Sequence, residues 1–414
     1  MLEVAPFAAV RYDAARCGGD LSSLIAPPYD VLDEDDKNGL LRRDPRNIAA
    51  IDLPHLPPKF AGPAEAYEEA AELFRRRLSD GTLIREKSPA IYLYHQTFTH
   101  AGRSYTRRMF IARLRLQPFG QGSILPHERT FGGPKEDRLA LMKATKCQLS
   151  PIFGLYADPV DQIGSAFAAT AGRDADVFGT LDGVENRMWV VTDRKTMAAV
   201  VSLMAEKKVY IADGHHRYDT ALLYRDYVAS QSNLSLSETH PAQYIMFVLA
   251  SMDDPGCLIL PYHRALADIG LNLLLDAWKE GTEPAPKERA DVVLYDGLKG
   301  TETALRFTNR AVLETLAPDE CEAWHQLDYA YLHRYLMDEL LDAKLGEDKP
   351  AVRYLKSVED AKKTARDESG VALLLRATPM AHLRAVSEAG GLMPQKSTYF
   401  HPKLATGMTI NPLA

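Results

Sequence analysis

The densest run of chemically useful side chains is Asp213-Gly214-His215-His216-Arg217, inside the segment VYIADGHHRYDTA at 209–221. Val209 to Ala212 are apolar and stop at a glycine turn, after which Tyr218, Ala221, Leu222 and Arg225 recur at helical spacing. The pattern predicts a buried strand, a tight turn and a helix start. Gly214 lets backbone approach a ligand closely. The next amides lack intrahelical acceptors and sit at the positive end of the helix dipole. With His215, His216 and Arg217 as further donors, such a corner suits a phosphate. A plain strand-to-helix corner with polar residues accounts for the same letters equally well.

A second dense stretch is LPHERTFGGPKEDR at 125–138, which gathers His127, Glu128, Arg129, Lys135, Glu136, Asp137 and Arg138 around Gly132-Gly133-Pro134. It reads as a loop with a helix following from Glu136, and loops on rigid scaffolds often carry function. His-Glu here is not part of an HExxH pattern, so no zinc site follows. The chain also ends on a chemically rich tail, LMPQKSTYFHPKLATG at 392–407, in which Lys396 and Ser397 can contact an anion.

These stretches need a scaffold. The 414 residues exceed one ordinary core, and two domains are expected, at 1–265 and 266–414. Residues 64–79 have the stripe and the charge gradient of an amphipathic helix, with Arg75, Arg76 and Arg77 as a solvated, dipole-matched end. Residues 90–98 and 104–116 read as a hairpin around Ala101-Gly102, its arginines (Arg107, Arg108, Arg113, Arg115) exposed. Further strands are expected at 151–156, 188–191 and 243–252, with helices between them and a polar loop at 230–238. The alternation indicates an α/β protein, α+β in detail, with a mixed sheet. The C-terminal part offers strands at 291–295, 304–307 and 371–377 and helices at 321–343 and 379–388. His263, alone after a strand, is expected to make a structural bond.

Composition removes several classes of function. The net charge of −7 without a basic tail disfavours broad nucleic-acid binding. No apolar run reaches the length of a membrane span, and the first residues lack a signal-peptide pattern, so a cytoplasmic location is the expectation. The four cysteines form no CxxC pair and read as buried thiols.

The full chain resembles a widespread, mostly prokaryotic family, domain of unknown function 1015. The resemblance rests on APPYDV at 26–31, HERT at 127–130, KEDRL at 135–139, SPIFGLY at 150–156, ADGHHRY at 212–218 and PQKSTYFHPKLATG at 394–407. That family brings no activity with it. Within it, IADGHHRYDTA is similar to the phosphate-binding signature of the ParB/sulfiredoxin superfamily, closest to its free-serine kinase branch. The resemblance implies a ParB/sulfiredoxin-like nucleotide-binding core with insertions, followed by a C-terminal α/β region whose tail (392–407) returns to the site. It implies that ADP, ATP or CTP is bound at Gly214, His215, His216 and Arg217, with Mg²⁺. Sulfiredoxin's reactive cysteine is replaced here by His215, so a sulfinic-acid reductase lacks its nucleophile. No helix-turn-helix of the ParB kind is evident.

By the same resemblance, the expected chemistry is phosphotransfer to or from a small hydroxyl metabolite, serine or phosphoserine by analogy. Such transfer needs positioning and charge neutralisation more than a covalent partner. Lys143, Lys146 and Lys396 are expected to neutralise charge, with Arg138 and Ser397 adding contacts. Glu128 is the candidate base, and His127 a proton carrier. Asp213 is a second catalytic carboxylate or a metal ligand, or else a helix cap. Tyr29 and Asp30 would line the pocket. Two alternatives remain: a regulatory protein that binds a nucleotide without turnover, and a ParB-like nuclease, which would need clustered metal carboxylates and a basic groove.

Overall fold

A computed structural model describes residues 1–58, 60–130, 132–231 and 235–413. Phe131 of the 125–138 loop and residues 232–234 of the 230–238 loop lie outside the described residues. Two compact units are present. The first comprises Met1–Cys257 with Pro402–Ala414, and the second is Leu258–His401. The boundary thus falls before strand His263–Leu266, which pairs with Val352–Leu355 and Val371–Leu375. The last part of the tail belongs to the first unit.

The first unit is built on a nine-stranded mixed sheet. From one edge its order is Ile124–Leu125, Val209–Asp213, Ile152–Tyr156, Tyr244–Ser251, Arg103–Arg115, Ile91–His100, Val184–Val191 and Val177–Leu181, with Val4–Ala5 also on Arg103–Arg115. Two pairings are parallel, Val209–Asp213 with Ile124–Leu125 and Tyr244–Ser251 with Ile152–Tyr156. Every residue of Tyr244–Ser251 is buried, as its unbroken apolar run requires of a strand covered on both faces. The expected hairpin forms, as Ile91–His100 and Arg103–Arg115.

Helix His215–Gln231 leaves the sheet at Gly214. Its Tyr218, Ala221 and Leu222 join Ile211 and Phe247 in one core. The Tyr218 hydroxyl is held by the Gln117 backbone, donating to its carbonyl at 2.9 Å and accepting from its N–H at 3.0 Å. This contact locks the rotation of the helix about its own axis and so fixes where its first turn points.

Helix Gly132–Thr145 starts earlier than the expected Glu136. Gly132-Gly133-Pro134 is its first turn rather than loop, since proline is tolerated where the N–H has no intrahelical partner. Lys135 meets Asp219 at 2.7 Å, and Lys143 lies over the Tyr227 ring, 4.1 Å from its centroid. Both positions advance together, so the two helices run in the same direction and present their N-termini at one end.

Two arginine expectations fail for one reason: a guanidinium can be buried when backbone carbonyls receive it. Arg77 is buried and donates to Pro45 O at 2.9 Å and Asn47 O at 3.3 Å. Arg107 is fully buried over the Phe153 ring and donates to Pro402 O at 2.6 Å.

The second unit carries a six-stranded antiparallel sheet in the order Thr282–Pro284, Glu302–Phe307, Val292–Asp296, Val371–Leu375, His263–Leu266 and Val352–Leu355. His263 is buried, and its Nδ1 accepts the Leu375 N–H at 3.1 Å, a structural bond. The helix expected at 321–343 is a succession of short helices with a π-helical stretch at Tyr331–Leu341. Among the described residues no helix is long and apolar enough to cross a membrane.

Candidate functional site

Gly214 joins strand and helix with φ +100°. A Cβ there would lie 3.0–3.1 Å from the Arg217 guanidinium, so the glycine answers both to its dihedral and to close packing. The first helical bond runs from Tyr218 N–H to Gly214 O at 3.0 Å. The amides of His215, His216 and Arg217 therefore have no acceptor within the helix.

Two histidines and a glutamate stand beside this turn. His127 Nδ1 donates to Ile211 O at 2.7 Å, which fixes its tautomer because a carbonyl only accepts. His215 Nε2 accepts the His127 backbone N–H at 3.1 Å, so its proton sits on Nδ1. The two rings meet edge to face, 4.7 Å between centroids. Glu128, half-buried, lies 4.0 Å from His127 Nε2 through one oxygen and 4.0 Å from His215 Nδ1 through the other. Burial, first of all, lowers the pKa of both histidines, and His127 adds to it at His215. His216 is half-buried and lowered for the same first reason, with Glu128 and Asp30 opposing. The two neutral rings line one side of Glu128, each at a distance beyond a hydrogen bond. His127 gives its Nδ1–H to Ile211 O and turns Nε2 toward Glu128, so any proton it carries passes through Nε2.

Asp213 is bound by Lys403 at 2.8 Å and lies 3.5 Å from an Arg217 nitrogen. Burial opposes its ionisation, but Lys403 and then Arg217 outweigh it and hold the carboxyl well below its usual range. Such a group is a poor base at neutral pH. Lys403 and Arg217 already pair its charge, and among the described residues no group of three or more His, Cys, Asp or Glu could hold a metal ion; the residue directly before the helix is Gly214. The donor set does not fit a magnesium ion held by the protein. Arg217 is also buried, donating to Pro151 O and packed on Gly214, so it buttresses the turn.

Arg138 is likewise a support. It donates to Asp137 at 2.7 Å and to Asp52 O at 2.6 Å, and it covers the buried Tyr29 ring at 3.9 Å. Asp52 in turn accepts from Ser150 Oγ at 2.6 Å, and Asp137 from the Tyr67 hydroxyl at 2.7 Å. Arg138, Arg217, Tyr29, Asp52, Ser150 and Thr220 line a small pocket of about 30 Å³, too small for a nucleotide. Asp30 is exposed, and its charge acts on His216 and Arg217.

Of three further expected cations, two stand elsewhere in the first unit and the third belongs to the second. Lys143 lies at Tyr227, 13 residues beyond Gly214 along a helix, roughly 20 Å away at 1.5 Å per residue. Lys146 lies beyond it, exposed past the C-terminus of helix Gly132–Thr145, with φ +53°. Helical periodicity places both at a helix but does not say which end faces the turn. Lys396 belongs to the second unit, its carbonyl accepting from Arg264 at 2.9 Å and its ammonium 5.5 Å from the Tyr262 ring centroid. Ser397 is buried there, donating to Pro394 O at 2.5 Å.

The lysine beside the turn is Lys403, which sequence reasoning leaves out of the site although it lies in the PKLATG part of the tail. The tail brings it there by pairing with the N-terminal loops: Thr406 exchanges backbone bonds with Ala26 at 2.8 and 3.1 Å, and Ile410 with Val10 at 2.8 and 2.9 Å. Also missed is Asp219, which receives both Thr130 Oγ1 at 2.8 Å and Lys135 at 2.7 Å and so ties the HERT and KEDRL segments to the first turns of helix His215–Gln231.

Buried and half-buried imidazoles give a testable pH dependence. Burial pushes His95 and His263 down to about 4, and His127 and His215 in the same direction. On unfolding they titrate near about 6.5 and take up protons that the folded chain refuses. Their stabilising contribution is full above about pH 6.5 and is lost as pH falls toward about 4. Urea midpoints are expected to fall between about pH 7 and pH 5, each such imidazole contributing at most about 1.4 kcal/mol per pH unit. A flat midpoint across that interval would contradict the burial described.

The family described as "Protein of unknown function (DUF1015)" matches residues 4–330, and the chain belongs to it. No curated protein matches the chain. Among solved structures, a free serine kinase in complex with AMP is 14% identical, with 69% of this chain and 88% of that one covered and a TM-score of 0.33. SbnI with a C-terminal truncation, from Staphylococcus aureus, is 11% identical over 70% and 84% of the two chains, with a TM-score of 0.36. A conserved hypothetical protein from Pyrococcus furiosus is 13% identical over 69% and 92%, with a TM-score of 0.33.

Proposed function

We propose that this chain is a nucleotide-dependent phosphotransferase acting on a small hydroxyl metabolite, with serine or phosphoserine as the substrate that the GHHR resemblance implies. The observation that carries this reading is the placement of Glu128, 4.0 Å from a ring nitrogen of each of His127 and His215, beside the glycine turn at the N-terminus of helix His215–Gln231. The amides of His215, His216 and Arg217, with the His216 ring, receive nucleotide phosphates. Glu128 orients the acceptor hydroxyl and takes its proton as the hydroxyl oxygen bonds to phosphorus and the bond from phosphorus to the nucleotide oxygen breaks. In reverse, Glu128 returns the proton. Lys403 and Arg217 keep Asp213 ionised and the turn rigid. Mg²⁺, if used, travels on the nucleotide phosphates rather than in a protein cage.

The locked, neutral state of both histidines also favours a second reading, a regulatory protein whose turn holds a nucleotide without turnover. A nuclease would need clustered metal carboxylates, and among the described residues no group of three or more His, Cys, Asp or Glu could hold a metal ion.

Calorimetric titration with ADP, ATP and CTP tests the turn itself. At least one nucleotide is expected to bind. Gly214→Ala, which forces a side chain into φ +100° against Arg217, is expected to weaken it by about tenfold or more. Lys143→Ala is expected to change nothing. Absence of binding by all three, or equal losses in both variants, would overturn the phosphate-turn reading.

A further inference from the structure

The second unit has a cavity of its own, of about 420 Å³, within the range of small-molecule sites. Its wall includes Arg310, Asp328, Tyr329, Arg376 and His382. Both signs of charge meet there. Arg310 is paired with Asp328, and Arg376 with Asp291, which lies buried behind the wall. The cross-distances are longer: Arg376 to Asp328 is 3.8 Å, and Arg310 to Asp291 is 3.9 Å. Neither is hydrogen-bonded. Two guanidinium groups and two carboxylates thus form a closed ring with two loose edges.

The donors and acceptors are unequally used. Asp291 is filled, accepting the Phe307 N–H at 2.8 Å on one oxygen and Arg376 on the other. Asp328 holds Arg310 through Oδ1, while its Oδ2 has only the loose contact to Arg376. Arg376 uses NH2 alone, and its side chain is 53% exposed, so Nε and NH1 remain as donors. Helix Met380–Glu388 begins at the same wall. Its cap residue Pro379 gives no side-chain bond, and the Met380 and Ala381 amides have no acceptor within the helix. The cavity therefore offers anion donors, from Arg376 and the helix start, and one carboxylate oxygen facing them.

We propose that this cavity binds a small zwitterion of the α-amino acid class. Its carboxylate would pair with Arg376 and the helix start, its ammonium with Asp328 Oδ2, and its side chain would extend along Tyr329 toward His382. The ring of fixed charges is electrically balanced, so a simple anion or a simple cation would leave one side of it unmatched. A molecule carrying both charges a few ångströms apart meets both ends of the loose Arg376–Asp328 edge at once.

The test is calorimetric titration of the full-length protein with each proteinogenic L-α-amino acid, inorganic phosphate, and the decarboxylated amine and N-acetyl derivative of any binder. At least one amino acid is expected to bind, and both derivatives to lose about tenfold or more. Arg376→Ala and Asp328→Asn are each expected to weaken it by about tenfold or more, with thermal unfolding retained as the control for folding. Arg217→Ala, at the turn of the first unit, is expected to leave it unchanged, which separates this site from the proposed phosphotransfer site. Absence of binding by every amino acid, tighter binding of phosphate than of any amino acid, or a loss in Arg217→Ala but in neither second-unit variant would overturn the proposal.

Discussion

Replacing Glu128 by glutamine is expected to lower phosphoryl transfer by about 10²–10⁴-fold while leaving nucleotide affinity nearly unchanged. Glutamine keeps the volume of the side chain and an oxygen that can face the Nδ1–H of His215, 4.0 Å away. It removes the negative charge and the capacity to take a proton. The remaining groups at the turn cannot replace it. Burial holds His127 and His215 neutral, each with one ring nitrogen hydrogen-bonded, to Ile211 O and from the His127 N–H, and Asp213 is a weak base beside Lys403. Equal losses in affinity and turnover would instead make Glu128 a nucleotide-positioning group. An unchanged rate would remove it from the chemistry.

Arg138→Met is expected to destabilise the protein by about 3–5 kcal/mol, the usual consequence of removing one partner from a buried charge cluster. Asp137 is fully buried and Asp52 4% exposed. Without Arg138 each keeps one hydroxyl donor, Tyr67 for Asp137 and Ser150 for Asp52, and loses its only ion pair among the described residues. Tyr29 loses the guanidinium that covers its ring. Arg138→Lys preserves the charge but not the fork that serves Asp137 and Asp52 together, and should fall between wild type and Arg138→Met. Urea unfolding at neutral pH reads both. A loss below about 1 kcal/mol for Arg138→Met would show that the carboxylates find water or other donors.

The parts of this site legible in the sequence are those set by local rules. Gly214 follows an apolar run and precedes a helical stripe, and both periods survive folding as strand Val209–Asp213 and helix His215–Gln231. His127 and Glu128 are recognisable as a chemically dense pair, and the structure places them at the turn. The illegible parts depend on long-range pairing. Lys403 meets Asp213 across 190 residues, through a tail that returns to the N-terminal loops. Lys143 sits on a helix as its periodicity indicates, but the helix direction relative to its neighbour decides that it faces Tyr227 and not Gly214. Arg107 and Arg77 read as surface residues because charge suggests solvent, whereas backbone carbonyls receive both inside. Arg138 and Arg217 read as phosphate ligands for the same reason, and the structure uses both as braces.

The central claim is that the corner around Gly214 moves a phosphoryl group. The most direct measurement is to incubate the purified protein with ADP, ATP or CTP, Mg²⁺, and serine or phosphoserine, and to follow every product by mass spectrometry. The account predicts stoichiometric appearance of a phosphorylated or dephosphorylated hydroxyl compound with the matching change in the nucleotide, lost in Glu128→Gln. Nucleotide that binds but is never converted would establish the regulatory reading instead. Nucleotide that neither binds nor turns over would contradict the account at its root.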